Sequence, residues 1–144
     1  MPLAVVPGLS NDLPEALGLA TDDTEATILL VEDEILLCEL TALALRTDGL
    51  SVVTANDPVA AIQLVVGKKI TVDVLVSDIN LPRISGFELY GQLRLIFPDL
   101  NAIFMSGYPS GRMEESKILP RSTTFLEKPF EHSTLLDAVR KILK

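Results

Sequence analysis

The stretch Val72-Asp73-Val74-Leu75-Val76-Ser77-Asp78-Ile79-Asn80-Leu81-Pro82 decides the fold. Its apolar run, Val74 to Val76, is rich in β-branched residues and ends in an aspartate two residues on. Such a run predicts a strand, Val72 to Ser77, buried on both faces of a parallel sheet. Asp78 falls where that strand leaves the sheet, and Asn80 and Pro82 follow as turn formers. In open α/β sheets, ligands bind outside the carboxyl ends of the strands. A single aspartate there has two readings, turn chemistry or reactive carboxylate, and the rest of the chain decides between them.

Working outward, the pattern alternates strand and helix from Thr27 onward. Thr27 to Val31 is an apolar run that stops at Glu32-Asp33-Glu34. Ile35, Leu36, Leu40, Leu43, Ala44 and Leu45 then recur near helical spacing up to Asp48-Gly49. Ser51 to Ala55 is a short strand. Asn56-Asp57-Pro58 opens a helix with a capping residue and a proline at its first position, and Gly67 stops it. Beyond Asp78, Ser85-Gly86 leads into a helix that ends at Phe97-Pro98. Ala102 to Met105 forms a fourth strand within Asn101 to Ser106. Gly107 to Ser122 carries Pro109, Gly111 and Pro120, so a helix there is expected to be short and irregular. Thr123 to Leu126 is a fifth strand, ending in Glu127-Lys128-Pro129-Phe130, and Ser133 is expected to cap a last amphipathic helix. Five strands alternating with five helices predict a doubly wound parallel sheet, flavodoxin-like, (βα)5, with strand order 2-1-3-4-5.

The chain has 144 residues, room for one domain with a real core. Lys and Arg number 12 against 20 Asp and Glu, a net charge of −8, which argues against a nucleic-acid-binding surface. Cys38 is the only cysteine, so neither an intrachain disulfide nor a thiolate zinc site is available. It reads as a small buried hydrophobe. No apolar run approaches a membrane span, and Met1 to Ala20 has no basic residues and does not read as a secretion signal. The expectation is a cytoplasmic protein with no membrane contact. Residues 1–26, with prolines, glycines and the acidic Asp22, Asp23 and Glu25, read as a flexible leader with at most a helical turn near Leu13 to Leu19. The domain is expected over 27–144.

The assumed strand order brings four strand ends together. Strand 1 ends in Glu32-Asp33, strand 3 in Asp78, strand 4 in Ser106 and strand 5 in Lys128. Three carboxylates in one crevice repel one another and must take up protons or a cation. Hard oxygen donors suit Mg2+. Lys128 adds a compact positive charge and Ser106 a rotatable donor. An aspartate nucleophile with such neighbours is a phosphoryl-transfer site.

Together, Glu32-Asp33, Asp78 with Pro82 and Gly86, Ser106-Gly107 and Lys128-Pro129-Phe130 resemble the receiver domain of two-component response regulators. The run Met105-Ser106-Gly107-Tyr108 is similar to receivers at the C-termini of hybrid histidine kinases and in single-domain regulators. The resemblance implies a phosphorelay module rather than an enzyme with its own substrate turnover. A histidine kinase or histidine phosphotransfer protein would be the partner, and the downstream protein is not named by the sequence. It implies Asp78 as acceptor, with Ser106 and Lys128 on the phosphoryl group. It also implies Mg2+ held by Glu32, Asp33, Asp78 and the Asn80 carbonyl, a cis Lys128-Pro129 bond, and a switch pairing Ser106 with Phe125. Glu32 stands where many members carry Asp, and Phe125 where many carry Tyr.

Two rivals remain at this stage. A Mg2+-dependent aspartyl-phosphate phosphatase needs a second aspartate two residues after the nucleophile, and this chain has Asn80. A receiver-like interaction module without phosphorylation would not need the intact acidic pair, Asp78, Ser106 and Lys128. His132 reads as an exposed histidine at a helix start, away from the crevice.

Overall fold

A computed structural model describes residues 26–107 and 123–143. The expected leader, most of the segment preceding the fifth strand, and Tyr108 lie outside the described residues. Strands β1 (Thr27–Val31), β2 (Ser51–Ala55), β3 (Val74–Asp78), β4 (Asn101–Ser106) and β5 (Thr123–Glu127) form one sheet in the order β2-β1-β3-β4-β5. Every pairing is parallel. The described helices are α1 (Ile35–Thr47), α2 (Pro58–Lys68), α3 (Gly86–Arg94) and α4 (His132–Leu143).

Alternation along the strands sends successive side chains to opposite faces of the sheet. Leu29, Val31, Leu75, Ala102 and Phe104 pack under Ala61 and Val65 of α2 and Leu89, Tyr90 and Leu93 of α3. Ile28, Leu30, Val74, Val76, Ile103 and Met105 pack on the other face under Cys38, Ala42 and Leu45 of α1 and Leu135 and Val139 of α4. β3 is buried throughout, as its unbroken apolar run requires.

Local signals explain most of the boundaries. Gly49, at φ 88°, closes α1 in the left-handed region, with Gly49 N–H on Arg46 O and Leu50 N–H on Leu45 O. The Asp57 carboxylate caps α2 by accepting from Ala60 N–H at 2.7 Å, and Pro58 follows at the first helical position. Ser85 and Glu88 form a reciprocal capping box at the start of α3.

Several boundaries differ from the sequence reading. β3 begins at Val74, not Val72, and includes Asp78, which pairs with Met105 as its last rung. α2 continues through Gly67, because Lys69 takes the left-handed C-cap position at φ 54°. α3 ends at Arg94, and Leu95 and Ile96 tighten its last turn by donating three residues back, to Gln92 and Leu93. α4 begins at His132, so Ser133 lies within its first turn. The Glu131 carbonyl instead accepts from Thr134 and Leu135 N–H groups.

Candidate functional site

The site is built from the chain exits of β1, β3, β4 and β5. At the end of β1, Glu32 N–H donates to Ala55 O at 3.1 Å, and Asn56 Nδ2 donates to Glu32 O at 2.9 Å. The turn after β2 thus holds the Glu32 backbone on both sides. Glu34 N–H donates to Glu32 Oε2 at 3.2 Å, which ties the side chain to the start of the following turn. Glu32 is 2% exposed while Asp33 stands open to solvent.

At the end of β3, Ile79 N–H donates to Met105 O at 3.0 Å and Ser77 Oγ to Asp78 O at 2.8 Å. Gly86 N–H returns to Ile79 O at 2.8 Å, closing the loop after the strand. A Cβ at Gly86 would fall 2.2 Å from the Asp78 carbonyl oxygen, so only glycine lets the start of α3 approach Asp78 this closely. Arg83, at φ 76°, occupies the left-handed region within the same loop.

On the other side, Lys128 N–H donates to Ser106 O at 2.8 Å, and the Lys128-Pro129 bond is cis, as the resemblance implies. The Lys128 ammonium lies 2.6 Å from Asp78 Oδ1 and 3.1 Å from Glu32 Oε1. Carboxylate oxygens of Glu32, Asp33 and Asp78 all lie within 4.8 Å of one another. The residues expected at the strand ends therefore converge: Glu32, Asp33, Asp78 and Lys128 form one cluster. Ser106, buried at 6% exposure, ends the neighbouring strand. Asn80 lies exposed two residues past Asp78.

The cluster is electrostatically strained. Burial, reinforced by the Asp78 carboxylate, raises the Glu32 pKa from 4.5 to about 7. Burial alone would lower the Lys128 pKa, but the Asp78 and Glu32 carboxylates outweigh it and hold the ammonium above its ordinary range. With all three acids ionised, this ammonium leaves two negative charges in excess, the charge that one divalent cation cancels. The donors are oxygens, one acid is solvent-facing, and the cluster is compact. These residues fit a hard cation that keeps several waters.

Phe125 is 39% exposed, with its ring centroid 5.7 Å from Phe104 and 6.1 Å from Phe87. His132 is exposed at the start of α4, as the sequence reading has it, and lines a cavity together with Glu32 and Lys128. The sequence reading also missed the clamp by Asn56, whose only sequence signal is an amide directly after β2. It missed the outward face of α1 as well. Cys38, Thr41, Ala42 and Leu45 are the buried residues of α1, whereas Ile35, Leu36, Leu40 and Leu43 on its outward face are exposed.

Comparison with known proteins agrees with this architecture. The profile of the response regulator receiver domain matches residues 28–140. The chain belongs to the response regulator receiver domain family, the phospho-acceptor signalling domains of two-component systems. It is 34% identical over 126 residues to the sensor kinase CckA of Brucella abortus, covering 87% of this chain and 13% of that protein. It is 35% identical over 123 residues to the C4-dicarboxylate transport transcriptional regulatory protein DctD of Pseudomonas aeruginosa, covering 85% of this chain and 26% of that protein. The crystal structure of the receiver domain of the hybrid histidine kinase CckA superimposes with a TM-score of 0.69. That pair is 31% identical, and the match covers 83% of this chain and all of that domain. The chain thus spans a small part of these two curated relatives. No helix among the described residues is long and apolar enough to cross a membrane.

Proposed function

We propose that Asp78 accepts a phosphoryl group from a phosphohistidine on a histidine kinase or phosphotransfer protein. The observation that carries this is the placement of Asp78 Oδ1 against Lys128, inside the carboxylate cluster at the carboxyl edge of the sheet. In the transfer, a carboxylate oxygen of Asp78 attacks phosphorus, the P–N bond breaks, and the imidazole leaves with its electron pair. An acyl phosphate remains on Asp78.

Lys128 begins paired with Asp78 and Glu32 and turns its charge to an equatorial phosphoryl oxygen. Ser106 donates its hydroxyl to another. The residues that would hold Mg2+ are Glu32, Asp33, Asp78 and the carbonyl of Asn80. When bound, that ion supplies charge compensation for the phosphoryl oxygens. The domain so defined runs over 27–144, and a cytoplasmic setting with no nucleic-acid or membrane contact agrees with the whole chain's net charge of −8.

Two surface features support a protein partner. Ile35, Leu36, Leu40 and Leu43 make an exposed apolar strip on α1 that begins two residues after Asp33. A donor protein that brings its histidine to Asp78 would cover this strip. Phe125 is exposed with its ring 5.7 Å from Phe104, and it would turn inward when Ser106 moves. That rotation would shift an existing equilibrium at the β5–α4 surface. Incubation with Mg2+ and acetyl phosphate, read by intact-protein mass, tests the reading. The expected result is one added phosphoryl group, absent from Asp78→Asn. An unchanged mass, or an adduct that persists in Asp78→Asn, would reject it.

A further inference from the structure

Beside the acceptor cluster, on the α1–α4 side of the sheet, lies a cavity of about 350 Å3. Leu37 of α1, Met105 of β4, and Pro129 and Phe130 after β5 make its apolar walls. Two buried polar groups also face it. One is the Glu32 carboxyl, and the other is Thr41, which is 4% exposed and has no side-chain hydrogen bond among the described residues. Lys128 and His132 complete the lining. A mostly apolar hollow with a few convergent polar groups is the usual form of a small-molecule site. A dry cavity of about 150 Å3 already holds benzene, so this one has room for a ring with a substituent.

The charge of the surroundings selects the substituent. Glu32, Asp33 and Asp78 stand together on one side, and the Lys128 ammonium is already shared between Asp78 and Glu32. The excess is negative, so a cationic head is favoured and an anionic one repelled. The Phe130 ring and the Met105 thioether suit an aromatic body. The Thr41 hydroxyl can accept one N–H of the head while Glu32 accepts another.

We infer that this cavity binds a single-ring aromatic cation, an arylamidinium or arylalkylammonium, with its charged head between Glu32 and Thr41 and its ring against Met105 and Phe130. The site is distinct from the phosphoryl crevice but shares Glu32 and Lys128 with it, so an occupant would compete with a cation held by the carboxylates.

Benzamidine is a suitable probe, read by the methyl resonance of Met105 in the metal-free protein above about pH 7, where the Glu32 carboxyl is ionised. A saturable shift with a dissociation constant on the order of 1 mM is expected. Benzoate, of matching shape and opposite charge, should leave the resonance unmoved. Leu37→Phe, which fills the cavity, should abolish the shift. Glu32→Gln, which keeps the shape and removes the charge, should weaken binding by about tenfold, the effect of one lost charged contact. No saturable shift, an equal shift with benzoate, or undiminished binding in Glu32→Gln would each overturn the inference. The last comparison stands even where Leu37→Phe disturbs folding.

Discussion

The Lys128 ammonium stands 2.6 Å from Asp78 Oδ1, a contact between residues fifty positions apart that joins the ends of β3 and β5. The same nitrogen reaches Glu32 at 3.1 Å, so one cation serves both buried acids. A lysine can do this because its charge is a point on a flexible stem. Replacing it with methionine removes the charge and keeps the stem. Lys128→Met should slow acceptance from acetyl phosphate by about 10²-fold, the usual effect of losing one group that stabilises developing charge. Single-turnover phosphorylation followed by mass measures it.

The raised pKa of Glu32 has a definite consequence for stability. Between pH 4.5 and about 7 the folded protein keeps a proton on Glu32 that the unfolded chain has released. That contribution is fully present below 4.5 and is lost as pH rises through about 7. In EDTA, the Glu32 contribution should lower the melting temperature of the wild type as pH rises across this window, relative to Glu32→Gln, which lacks the titration. Thermal melts of both proteins over that range supply the comparison. Because a cation needs the ionised carboxylate, apparent Mg2+ affinity should rise with pH over the same interval.

Gly86 and Gly91 share α3 but differ in what surrounds them. A methyl at Gly86 would collide with the Asp78 carbonyl, whereas one at Gly91 meets nothing within 4 Å. Gly86→Ala should cost about 1–3 kcal/mol through forced displacement of α3. Gly91→Ala should add up to about 1 kcal/mol from helix propensity. Urea denaturation of the pair reports both, and the opposite signs separate packing at Asp78 from helix formation.

Phe125 lies beside the machinery and is absent from the carboxylate–lysine cluster. Phe125→Ala should therefore accept phosphate at a rate within about twofold of the wild type, a difference under 0.5 kcal/mol. What it should lose is the response: amide shifts along β5 and α4 that accompany phosphorylation in the wild type should be reduced. Two-dimensional NMR of both proteins with acetyl phosphate and Mg2+ makes the comparison.

The strands and their order were legible because buried parallel strands are written as short apolar runs. Val74 to Val76 and Ile28 to Val31 have no polar face to disguise them. The site was legible for a related reason: Glu32, Asp33, Asp78 and Lys128 each interrupt such a run or immediately follow it. α1 was harder, because it is apolar on both faces. Ile35, Leu36, Leu40 and Leu43 fit a helical stripe as well as Cys38, Ala42 and Leu45 do, and only packing against the sheet selects the second set. The role of Asn56 was hidden because its partner, the Glu32 carbonyl, lies twenty-four residues away and has no side-chain signature.

The most direct test of the central claim is chemical mapping of the phosphorylated residue. The protein is treated with acetyl phosphate and Mg2+, reduced with borohydride, digested and sequenced by tandem mass spectrometry. Borohydride converts an acyl phosphate to an alcohol and leaves free carboxylates untouched. Reduction is expected at Asp78, with Glu32 and Asp33 unmodified. Reduction at Glu32 or Asp33 with Asp78 intact, or no reduced acid in a protein that has gained the phosphoryl mass, would contradict it.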